Sequence, residues 1–201
     1  AIAGTFFVVL LLCGINEQRV SYAAALPATM AQQQYASLID WLNKETKKDE
    51  VVLASPDIID VIPALTHNNV YDGGTIIYTL IPTKRLEHNY LVYSYLDGIP
   101  SNEIEQYLRS HREKLSYTLF GYAYVFEENT CLICFPDSFI TEMTKEYQTL
   151  TDKNFISYLN KYPLDYIVWN KEKNPDWELD RFHLKVAKNW GDVIVYEFAT
   201  R

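Results

Sequence analysis

The chain of 201 residues carries 18 Lys and Arg against 26 Asp and Glu, a formal charge of -8. That balance disfavours a surface that tracks phosphates, so neither a nucleic acid nor a polybasic lipid patch is expected. About 180 residues come after an apolar start, enough to bury a sizeable core in one domain. Sixteen Tyr, nine Phe and four Trp supply amphipathic rings, which suit an ordinary core as well as a membrane-facing or sugar-facing surface.

Ala1 to Ile15 (AIAGTFFVVLLLCGI) contains no charge. As a helix it would cover roughly 22 Å, short of the ~30 Å hydrocarbon core. Three readings remain open: the C-terminal part of a transmembrane helix in a chain that continues upstream, the remains of a signal sequence, or a buried core element. The first two place the rest of the chain outside the cytosol. Residues 16–34 mix polar and small residues around Pro27, which predicts a broken helix and a juxtamembrane linker. The flanking charges Glu17 and Arg19 cancel, so orientation is not fixed by them.

Residues 35–201 read as one α/β domain. Tyr35, Leu38, Ile39 and Leu42 repeat at helical spacing, and Val51 to Ala54 is a short apolar run of the kind expected in a strand covered on both faces. Ser55-Pro56-Asp57 opens a turn and helix, with Ile58, Ile59, Ile62 and Leu65 as its apolar face. The punctuated stretch THNNVYDGG (66–74) predicts tight turns around a Val70-Tyr71 strand. Residues 75–95 resist assignment beyond a helical or irregular excursion. A helix from Asn102 to about Ser116, a strand at Tyr122 to Phe126, a strand at Cys131 to Phe135 and helices to about Tyr147 and Lys161 are expected next. Tyr166 to Trp169 is a second compact apolar strand, a helix is expected near Leu179 to Asn189, and Val193 to Phe198 supplies the last strand. Strands separated by helices predict a three-layer sandwich with a small, mainly parallel, Rossmann-like sheet, its last strand antiparallel.

No motif compels a reaction. The Cys131-Leu-Ile-Cys134 spacing has no second Cys pair or His cluster to complete a zinc site, and two buried structural thiols or a redox or metal role remain open. No Gly-rich phosphate loop follows a strand, there is no serine-hydrolase elbow, and four scattered His give no ligand spacing. No catalytic residue, metal or cofactor is therefore expected. Asp57, Asp60, Asp72 and Asp165 read as caps and turn-formers. His67, Asn68, Tyr71 and Asp72 form the candidate binding set, because ligands of open α/β sheets gather beyond the carboxyl ends of strands. A surface-loop histidine is the competing reading of His67.

The succession Asp40-Trp41-Leu42-Asn43, Val51-Val52-Leu53-Ala54-Ser55, Ile62-Pro63-Ala64-Leu65-Thr66, Val70-Tyr71 and Gly73-Gly74 resembles the C-terminal region of bacterial multi-pass membrane glycosyltransferases of the C superfamily. Leu159 to Val168 and Val193 to Glu197 resemble that region's closing elements. The resemblance implies an extracytoplasmic domain at the cell membrane, non-catalytic alone, that shapes or covers the acceptor or lipid-linked sugar site. Its partners would be the bilayer through residues 1–15, the rest of the parent protein, and a polyprenyl-phosphate sugar or glycan. The family's catalytic loops lie upstream of this chain. The alternative is a single-span, membrane-anchored module that binds a glycan or a protein.

Overall fold

The computed structural model describes residues 2–73, 81–126 and 137–198. The chain divides into two units, Ala1–Glu45 and Thr46–Arg201.

The first unit holds α1 (Ile2–Gln33) and α2 (Ala36–Glu45). Pro27 does not break α1 as the linker reading required; Ala23 to Leu26 and Ala28 to Ala31 flank it with mostly strong helix formers that carry the helix across the lost bond. Ile15, Val20, Tyr22 and Met30 on α1 are exposed. Among the described residues no helix is long and apolar enough to cross a membrane. Glu17 and Arg19 follow the charge-free stretch within the same helix.

The second unit is built on a five-stranded mixed sheet of order β2-β1-β3-β5-β4. Its strands are β1 (Val51–Ala54), β2 (Asn69–Val70), β3 (Tyr166–Asn170), β4 (Lys185–Trp190) and β5 (Val193–Glu197). β1 pairs parallel with both β2 and β3, while β3 with β5 and β5 with β4 pair antiparallel. The sheet is thus parallel on one side and antiparallel on the other, rather than mainly parallel. β1 and β3 sit at its centre, as their apolar runs predict. Successive residues Val52, Leu53 and Ala54 are all buried, as are Ile167 and Val168, so both faces are covered in the manner of a three-layer α/β fold.

The helices are α3 (Val61–Leu65), α4 (Thr83–Leu96), α5 (Ile104–Ser110), α6 (Arg112–Phe126), α7 (Asp137–Gln148) and α8 (Asp152–Leu159). Leu53, Ile167, Trp169, Ile194 and Tyr196 of the sheet form one core with Val92 and Leu96 of α4 and Phe155 and Leu159 of α8. Leu86 and Leu91 of α4 join a second core with Ile104, Leu108, Leu115, Ile140, Met143 and Tyr147. α4 is therefore apolar on two sides, which erases the single stripe that would have revealed it in the sequence.

Three further expectations are corrected. Tyr122 to Phe126 is the end of α6 and not a strand, since its aromatic, β-branched composition is a weak prior against a helix already running from Arg112. The expected helix from Leu179 is a 3-10 turn (Leu179–Phe182) followed by β4. Asn102 does not cap the next helix, which begins after Glu103 without a side-chain cap and stops at His111. The strand expected at Cys131 to Phe135, with both its cysteines, lies outside the described residues. Cys13 is an exposed thiol on α1.

Candidate functional site

β2 is only two residues long, and it separates the four residues expected to act together. His67 and Asn68 precede it. His67 Nε2 lies 3.0 Å from the Thr46 carbonyl oxygen, and Asn68, which is buried, donates through Nδ2 to Thr46 Oγ1 at 2.8 Å. Both side chains anchor the chain ahead of β1 and do not reach the carboxyl edge of the sheet.

Tyr71 and Asp72 follow β2, at that edge. The Tyr71 ring turns inwards, donates its hydroxyl to the Leu159 carbonyl at 3.0 Å and meets His88 Nε2 at 2.6 Å. Its backbone carbonyl accepts from Arg85 Nη2 at 3.0 Å and Asn89 Nδ2 at 3.1 Å. The Arg85 guanidinium lies over the rings of Tyr71 and Tyr162 at 4.4 and 3.9 Å. Asn89 Nδ2 also donates to Asp72 Oδ1 at 3.1 Å. One buried amide thus fixes both the turn and the direction of the carboxylate.

Asp72 points into a cleft of about 340 Å³ beyond the carboxyl ends of β1 and β2. Pro56, Ile59 and Asp60 reach it from the turn after β1, Tyr90, Tyr93, Ser94 and Asp97 from α4, Tyr107 from α5, and Lys114 and Thr118 from α6. Such a cleft, in which three tyrosine rings and two apolar side chains stand among convergent polar groups at strand carboxyl ends, is where small ligands bind α/β sheets. The Tyr93 hydroxyl donates to the Ala54 carbonyl at 2.9 Å and its ring meets Trp177 edge-on at 5.6 Å. That wall is pinned to the end of β1. Asp97 accepts from Trp177 Nε1 at 2.9 Å. The buried Tyr90 hydroxyl faces Tyr107 without a well-formed hydrogen bond. Burial raises Asp72 and Asp97 above the ordinary carboxylate range, opposed by the Asn89 and Trp177 hydrogen bonds respectively. Burial also pushes the Tyr90 and Tyr107 phenols upward, so both stay protonated donors.

Of the expected site residues, Asp72 alone lines the cleft. Tyr71 is buried and is not among the lining residues. Tyr90, Tyr93 and Asp97 were missed, although their i, i+3, i+7 spacing places them on one face of a helix. Asp57 is structural as read: its carboxylate accepts from Asn170 Nδ2 at 2.8 Å and Asn174 Nδ2 at 3.0 Å. Asp165 accepts from the Val51 amide at 2.8 Å. Asp60 instead belongs to the cleft. Among the described residues no group of three His, Cys, Asp or Glu is placed to hold a metal ion.

Comparison of the chain with protein-family models, with curated proteins and with solved structures finds no match.

Proposed function

We propose that residues 46–201 form a carbohydrate-binding domain that serves a membrane glycosyltransferase-like protein on the extracytoplasmic side, steadying a sugar without transferring it. The observation that carries the binding reading is the cleft in which the side chains of Tyr90, Tyr93 and Tyr107 stand beside Asp60, Asp72 and Asp97. Aromatic rings offer their faces to the C–H side of a pyranose, while carboxylates accept from its hydroxyls. The link to a transferase and to a membrane rests on the resemblance of the sequence.

The test is calorimetric titration of the full chain with oligosaccharides, alongside Tyr107→Ala. The expected result is binding in the wild type, weakened about tenfold in the variant by loss of a ring worth about 1 kcal/mol or more. Undiminished binding in the variant would move the site elsewhere. Incubation with polyprenyl-phosphate sugars should yield no transfer, and turnover by this chain would refute the holding role.

A further inference from the structure

Three carboxylates reach the cleft from three separate segments: Asp60 after β1, Asp72 after β2 and Asp97 at the end of α4. Lys114 is the one cation among the described lining residues. It is exposed, as are Asp60 and Asp97, while Asp72 is half-buried; Asn89 and Trp177 orient the carboxylates of Asp72 and Asp97. The other nearby cation, Arg85, is occupied by the Tyr71 and Tyr162 rings and by the Tyr71 carbonyl, so it does not turn towards a ligand. Tyr90, Tyr93 and Tyr107 also line the cleft, and tyrosine ring faces attract cations.

Resting on the carbohydrate reading, we infer that the cleft takes sugars bearing a free amine, whose ammonium sits among Asp60, Asp72 and Asp97 against the tyrosine rings, and excludes phosphorylated sugars. Three carboxylates face one exposed lysine in the cleft lining, and an ammonium brings three N–H donors and a further positive charge together. A phosphate would bring further negative charge beside three carboxylates, where like charges repel. The carboxylates also do not converge on a metal position. An organic cation, bulky enough to be reached from several sides, satisfies them where a bare ion does not.

The experiment titrates the full chain with a glucosamine tetramer, its fully N-acetylated counterpart and glucose 6-phosphate. The amine-bearing tetramer should bind roughly tenfold more tightly than the acetylated one, with glucose 6-phosphate weakest, and the preference should shrink as salt is added. Asp72→Asn and Asp97→Asn, each checked for an intact cooperative melt, should abolish most of that preference. Asp60→Asn, on an exposed turn, supplies the same readout should either of those variants misfold. Equal affinity for the two tetramers, both lost in Tyr107→Ala, would overturn the amine selectivity and leave the carbohydrate cleft standing. Binding of either tetramer that is indifferent to Tyr107→Ala and to all three Asp variants, or no binding at all, would overturn both.

Discussion

The Tyr71 hydroxyl and His88 Nε2 meet at 2.6 Å where His88 is only 1 % exposed. Because the single hydroxyl proton is donated to the Leu159 carbonyl, Nε2 of the imidazole must carry the hydrogen towards Tyr71. Nδ1 is left buried without a partner, and the ring lies 4.3 and 4.8 Å from the Tyr158 and Tyr162 rings. Burial first, then Lys161 and Arg85, lowers the imidazole to about 3.

The consequence for stability has a definite sign. An unfolded histidine titrates near 6.5, so below that pH the unfolded chain takes up a proton that the native state refuses. Stability from the neutral ring is complete above pH 6.5 and is lost as pH falls towards 3. At pH 4.5 the loss should reach about 2 to 3 kcal/mol relative to pH 7.5. His88→Phe keeps an aromatic ring and removes the titration. Urea unfolding of both proteins at the two pH values should show a steeper acid loss in the wild type, and parallel profiles would reject this account.

A second expectation concerns the centre of the sheet. Val52 and Ile167 are both fully buried on the adjacent strands β1 and β3. Replacing either by Asp would bury an unpaired charge and cost several kcal/mol, comparable with the whole stability of a small domain. Expression and circular dichroism should show unfolded or aggregated protein. A soluble variant with a cooperative melt would place these strands differently.

Asp57 ties the turn after β1 to the end of β3 through Asn170 and Asn174, and Ser55 Oγ accepts the Asn170 amide at 2.9 Å. Asp57→Ala removes the acceptor of a buried amide, and the expected cost is about 1 to 3 kcal/mol. Denaturant midpoints of Asp57→Ala and Asp57→Asn distinguish lost hydrogen bonding from lost charge. Asn keeps an acceptor and should recover much of the stability, whereas equal losses would point to the charge.

β1 and β3 were legible because strands covered on both faces need continuous apolar runs, which Val51 to Ala54 and Tyr166 to Trp169 provide. β4 was not. It is an edge strand with exposed Lys185, Val186 and Lys188, a composition that burial does not constrain and that blunts pairing with another chain. The candidate loop was found, but a two-residue strand turned half of it away, and sequence proximity carries no information about which edge a side chain faces. The tyrosine wall was hidden for another reason. α4 buries Glu87, His88 and Asn89 beside Leu91 and Val92, so its functional face is not the polar complement of an apolar stripe.

Asp72 joins stability and recognition in one residue. Burial raises its carboxyl above the usual range despite hydrogen bonds from Asn89 and Gly73 and the attraction of Arg85. The native state therefore holds the proton more tightly than the unfolded chain, and the contribution is fully present below the unfolded value near 3.9, then lost as pH rises through the folded one. At neutral pH the ionised group is a net cost to stability. Asp72→Asn keeps the shape and an oxygen for the Asn89 amide while removing the charge. It should stabilise the protein by about 1 kcal/mol at pH 7, in the range commonly gained when a functional site is relaxed. That gain should vanish below the pH at which an unfolded aspartate is protonated. Urea midpoints of wild type and variant across pH 3.5 to 7.5 measure it directly. A variant that is less stable than the wild type at pH 7 would show that the carboxylate is held by its neighbours for structure, and that no ligand is needed to account for it.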